Sequence, residues 1–217
     1  MEFLNLPSRT KVNRFIPKNA FDKYTSTKQK KLFVEKVSKI TWLNKLSEET
    51  VNLAAKEIKE IQIFRLELKK KEDIQELLEV IDKSIPYPII FLVQYNEQLY
   101  FSCSSKHPHP INEDSSVIDW TFNSPWQKSN ENNYLLNLRT SLDWVYKDFC
   151  VQLSGKEDLK KSSLEAIISH QKQVDIVEKD ISKLKSAISR MKQFNKKVEL
   201  NNELNEKKKE LKKLKGV

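Results

Sequence analysis

Glu67, Leu68 and Lys69 spell an ExK element at the end of an alternating apolar run, the arrangement in this chain that comes nearest to metal-dependent nuclease chemistry. In such a site two carboxylates hold Mg²⁺ while a lysine steadies the attacking water or the phosphate. The second acid, usually an aspartate on the preceding strand, is missing: no aspartate lies between Asp22 and Asp73, and the upstream candidates are glutamates such as Glu35, Glu57 and Glu60. A Glu and a Lys two apart are also what any exposed strand face presents.

Cys103, His107 and His109, with Glu113 and Asp114 beyond them, gather soft and hard metal-ligand types within one stretch. A structural zinc site needs four placed ligands. Here both histidines precede prolines in what reads as an exposed hydrophilic turn, and no second ligand pair occurs elsewhere, so no metal is expected. The two cysteines, Cys103 and Cys150, have no CxxC spacing and read as free, half-buried thiols. Only two glycines occur, Gly155 and Gly216, whereas phosphate loops and dinucleotide folds need glycine where backbone approaches a phosphate or turns tightly. This argues against NTPase, dehydrogenase and methyltransferase activities, and no cofactor is expected. There is no GxSxG elbow, and His170 lies outside the globular part. Trp42, Trp120, Trp126 and Trp144 are scattered and read as core residues rather than a base-stacking platform.

The elements that must position these residues follow from period. Residues 1–24 mix prolines and polar residues with Phe3, Leu4, Val12, Phe15, Ile16 and Phe21, and read as an irregular segment laid on the core. Leu32, Phe33, Val37 and Ile40 step at helical spacing, predicting a helix over 28–40 capped by Ser26 or Thr27. Ser47 with Glu48 and Glu49 predicts a short helix over 47–56. Phe64, Leu66 and Leu68 alternate with Arg65, Glu67 and Lys69 as in a strand with one buried face. A helix over 72–83 then leads to the apolar run Ile89–Val93, completing a βαβ unit. A turn at Asn96 and Glu97 gives a hairpin to 99–102, and Ile118, Trp120 and Phe122 make a fourth strand. A helix over 138–153, ending at Gly155, closes the domain. The expected fold class is α/β (α+β): a mixed sheet of about four strands with packed helices over residues 1–154.

Residues 155–217 form a basic helical arm. Val174, Val177, Ile181, Leu184, Ile188 and Met191 step by three and four, the heptad seam of a coiled coil. Val198 keeps that register, but Leu200, Leu204, Leu211 and Leu214 define a shifted seam, which a stutter or a turn near 193–197 explains. The turn, giving a helical hairpin, is the favoured alternative. This seam is too long to leave in water, so it must meet a helix of this chain, a second copy or another protein. The formal net charge is +9, and from Gly155 onward 17 Lys and Arg face 10 Asp and Glu, so the basic excess belongs to the arm. Lys207, Lys208, Lys209, Lys212 and Lys213 are candidates to lie against nucleic acid or an acidic partner. Hydrophobic residues make up 38% and charged residues 32%, no stretch is apolar enough to span a membrane, and residues 1–11 lack a signal pattern. A cytoplasmic location is expected.

The segments KVNRFIPKNAF, LFVEKVSKITWLNKLSEETVNL, EIKEIQIFRLELK, IDKSIPYPIIF and QFNKKVELNNEL resemble the bacterial family called domain of unknown function 4391, nearly end to end. The resemblance implies a place beside a helicase and an adenine-specific DNA methyltransferase like type III modification subunits, hence a part in restriction or phage defence. It implies no catalytic residues. The leading expectation is a non-catalytic accessory or adaptor subunit that docks through Val174–Leu214, seam residues Leu204 and Leu211 included. The rivals are a nuclease of restriction-endonuclease-like type using Glu67 and Lys69, and a DNA-binding protein, the last weakened because no helix-turn-helix with a basic recognition helix is evident.

Overall fold

Ser26 opens the first α-helix with a reciprocal cap: its hydroxyl accepts from Gln29 N–H while the Gln29 side chain accepts from Ser26 N–H. That helix, α1 (Thr27–Lys36), stops four residues short of the predicted end, because Val37 is already extended. Val37 and Ile40 belong instead to strand β2 (Val37–Ser47), where β-branched residues pack well. The structure described here is a computed structural model that covers residues 4–111, 115–155 and 162–215.

One mixed sheet holds seven strands rather than four. They are β1 (Lys11–Phe15), β2, β3 (Glu60–Leu68), β4 (Ile89–Tyr95), β5 (Gln98–Pro108), β6 (Ser116–Asn123) and the two-residue β7 (Gln127–Lys128). The spatial order β1-β2-β3-β4-β5-β6 follows the chain, with β7 paired to β5. All neighbours are antiparallel except β3 and β4, which the crossover helix α3 (Gln75–Lys83) joins in parallel. Three strands escape a reading by period, and β7 does so because two residues are too short to show one. β1 is an edge strand with four of five residues exposed, and β2 carries register shifts between Val37 and Lys39 and between Trp42 and Asn44, which scramble its alternation.

The predicted helix over 47–56 is a single turn, α2 (Glu48–Val51), closed by Asn52 at φ 55°. Asparagine tolerates that left-handed backbone. The backbone N–H groups of Lys56, Glu57 and Ile58 then all donate to the carboxylate of Asp143, in the first turn of α4 (Leu142–Ser154). Gly155 ends α4 at φ 67°, the left-handed position that glycine fills without strain.

The sheet is covered on both faces, so β3 has no open apolar side. Phe64, Leu66 and Leu68 pack with Phe33 of α1, Leu77 and Ile81 of α3, and Phe91 and Val93 of β4 in one core cluster. On the opposite face α4 meets β5, where the Phe149 and Phe101 rings stand edge to face at 5.6 Å. The Tyr146 hydroxyl there donates to the carbonyl of Ser104 at 2.7 Å and accepts from its N–H at 3.1 Å. Burial pushes the Tyr146 phenol well above its ordinary pKa, so it stays protonated as that donor.

Internal contacts divide the chain into two units, Met1–Lys160 and Lys161–Val217. The second consists of α5 (Leu164–Arg190) and α6 (Phe194–Lys215), which begins after a break at 191–193. The two helices run antiparallel: a ring nitrogen of His170 lies 3.0 Å from the carbonyl oxygen of Leu214, and Lys215 pairs with Glu178 at 2.6 Å. Among the described residues, no helix is long and apolar enough to cross a membrane.

Candidate functional site

Strand β3 places Glu67 opposite Lys39 of β2 and Gln94 of β4, at the carboxyl end of the parallel pair. Its carboxylate lies 3.2 Å from the Arg65 guanidinium, two residues back on the same strand face. Lys69 lies just beyond the strand and is turned to another task. Its backbone N–H donates to Lys36 and its ammonium to the Val34 carbonyl at 2.7 Å, satisfying carbonyls at the end of α1. Glu67 and Lys69 therefore have separate partners. Arg65 also lines an open cleft of about 570 Å³ with Gln94, Glu97 and Lys128.

Cys103, His107 and His109 are not brought together. Cys103 is fully buried under α4, its sulfur 3.5 Å from that of Cys150, and both cysteines are free thiols. Burial pushes the Cys103 thiol well above its ordinary pKa, so it is a poor ligand and a poor nucleophile. The predicted exposed turn is the far end of β5. His107 sits in the strand with its ring nitrogen 3.1 Å from Asp119, and the His109 ring accepts from Ile111 N–H. Among the described residues, no group of three His, Cys, Asp or Glu is placed to hold a metal. Glu113 and Asp114 lie outside the described residues.

One charged pair that period and spacing do not reveal is Lys106 with Asp82. Both side chains are almost wholly buried, 2% and 1% exposed, and their charged groups lie 2.8 Å apart. The Lys106 ammonium also donates to the carbonyls of Asp82 and Ile85, so it closes the C-terminal end of α3 against β5. Burial raises the Asp82 pKa and lowers that of Lys106, and their mutual attraction opposes both shifts. With its three acceptors inside the fold, this lysine is a structural clamp. The only sequence signal for it is a lysine that follows a buried strand segment.

In the second unit the predicted seam closes within the chain. Val177 and Ile181 of α5 pack on Leu204 of α6, flanked by Leu184, Ile188, Leu211 and Leu214. Val174 is buried as well, and Met191 falls in the break between the helices. The large apolar residues left outside are Phe194 (77% exposed), Val198 (43%) and Ile176 (58%). Lys207 is half-buried and pairs with Glu210 at 2.9 Å, whereas Lys208, Lys209, Lys212 and Lys213 are exposed and make no ion pair among the described residues.

A mixed sheet sandwiched by helices, with a separate basic helical pair appended, defines a two-part α/β protein. The chain belongs to the family described as domain of unknown function (DUF4391), whose model matches residues 4–211. No curated protein and no solved structure matches it.

Proposed function

We propose that this chain is a non-catalytic accessory or adaptor subunit of a bacterial DNA restriction or phage-defence system, working in the cytoplasm and holding a helicase or DNA methyltransferase through its helical arm. The observation that carries this reading is the outer surface of the helical pair. With the seam satisfied internally, Phe194 and Val198 stand exposed one turn apart on α6. Paired apolar anchors at i and i+4 are what a helix offers to a partner's groove. The family resemblance supplies the kind of partner, and the commitment of Lys69 to Val34 and of Glu67 to Arg65 favours docking over cleavage.

The test compares the full-length protein with a Phe194→Ser, Val198→Ser variant as bait in the native host. The wild type is expected to retain a helicase or methyltransferase that the variant loses. Equal retention by both, or capture of neither enzyme by the wild type, ends the adaptor reading. One placement keeps the nuclease rival in play: Glu67 lies at the carboxyl end of parallel strands, where open sheets commonly bind ligands. That rival requires Mg²⁺-dependent cleavage of DNA by purified protein that disappears in Glu67→Ala.

A further inference from the structure

Helix α6 separates its charges by side. At 3.6 residues per turn, with inward-facing Leu204 as reference, Lys208, Lys212, Lys209 and Lys213 project at roughly 40° to 180° around the axis. Asn201, Asn202 and Asn205 fall in the same half. All four acids of the helix, Glu199, Glu203, Glu206 and Glu210, project from the other half, at roughly −160° to −100°. Two lysines, Lys196 and Lys207, fall on the acidic side, and Lys207 is paired with Glu210. The opposite side thus presents these four ammonium groups, none in an ion pair among the described residues, together with Lys197, asparagine carboxamides and the exposed Phe194 and Val198, and no carboxylate of α6. The Asn201 amide already donates to the Lys197 carbonyl at 2.7 Å.

We infer that this lysine and asparagine side of α6 is a contact surface for the phosphate backbone of duplex DNA, read without sequence preference. Charge complementarity argues for a polyanion, and the kind of cation argues for phosphate. Lysine is depleted from protein–protein interfaces, where ordering its long side chain costs entropy, but it serves phosphates well as a point charge. The one exposed aromatic residue described on this helix, Phe194, gives no stacking platform for a single strand. The two exposed apolar residues of this side, Phe194 and Val198, cover one turn only and make no continuous stripe to insert into a lipid surface. An α-helix fits the major groove of B-form DNA, where lysines one turn apart reach the flanking phosphates, whereas the A-form groove of RNA is too narrow. The inference rests on the reading of the arm as an interaction element and adds the ligand class.

The test is fluorescence anisotropy of full-length protein with a labelled duplex of mixed sequence over a salt series. Wild-type binding should weaken with a log–log salt slope of about −3.6, the value for four phosphates neutralised. Lys208→Gln, Lys209→Gln, Lys212→Gln and Lys213→Gln combined should flatten that slope and weaken binding at least tenfold at about 50 mM salt. Lys196→Gln, on the acidic side of α6, combined with Lys183→Gln on α5, should stay within twofold of wild type. All substituted side chains are exposed, and unchanged far-UV circular dichroism verifies the fold. No duplex binding by the wild type, a quadruple variant within twofold of it, or equal binding of duplex RNA or polyglutamate would each overturn the inference. Repeating the bait experiment with the quadruple variant in nuclease-treated lysate separates the two ideas. Retention of the protein partner there leaves docking standing whether or not DNA binds.

Discussion

Asp143 shows how one carboxylate holds a loop. Burial alone would raise its pKa, but the N–H groups of Ile58, Lys56 and Glu57 stabilise the charged form more strongly and hold the value below the ordinary range. A depressed carboxylate contributes stability above its unfolded pKa of roughly 3.9 and loses it as pH falls through the folded value. Asp143→Asn should therefore cost about 1–3 kcal/mol at pH 7, and melting curves of the two proteins should converge as pH drops below about 4. Lys106 makes a sharper case. Lys106→Met strands the Asp82 carboxylate and two carbonyls in the interior, so a loss of about 3–5 kcal/mol is expected in denaturant titrations. Adding Asp82→Leu should recover much of that loss, because the uncompensated buried charge goes with it. Neither residue stood out in the sequence, since a partner 24 or 85 positions away leaves no local pattern.

At the scale of elements, what was legible followed regular period. The β3–α3–β4 unit, the β4–β5 hairpin and the helix ending at Gly155 each pair an uninterrupted apolar pattern with a clear stop signal. Helical spacing extends over 37–40, the first residues of β2, because the bulges of this strand break the two-residue alternation and leave Val37 and Ile40 three apart. The seam of the arm was legible for the opposite reason, since six positions step by three and four without interruption. Ile181→Asp places a carboxylate between the helices, against Leu204. It should lower helicity by far-UV circular dichroism and open cleavage sites within 164–215 to limited trypsin. Unchanged digestion would show that the seam does not hold the pair together.

For the whole molecule, closing the seam within one chain removes the apolar surface that would otherwise drive pairing of copies. Light scattering after gel filtration should give the monomer mass of 25.6 kDa, and twice that mass would mean that the seam opens to a second copy. Composition and periodicity by themselves determined that the chain has a mixed α/β part followed by a basic helical arm. They also showed that it lacks the glycines of a phosphate loop, because both signals are local and survive without knowledge of contacts. Only the tertiary structure decided that the sheet has seven strands, that Cys103 lies apart from His107 and His109, and that Glu67 and Lys69 serve different partners. It also decided that Lys207 pairs with Glu210 while Lys208, Lys209, Lys212 and Lys213 make no ion pair among the described residues. The physical reason is that edge strands and bulges have no period of their own. Ion pairing, moreover, depends on distances that only a folded chain brings within a few ångströms.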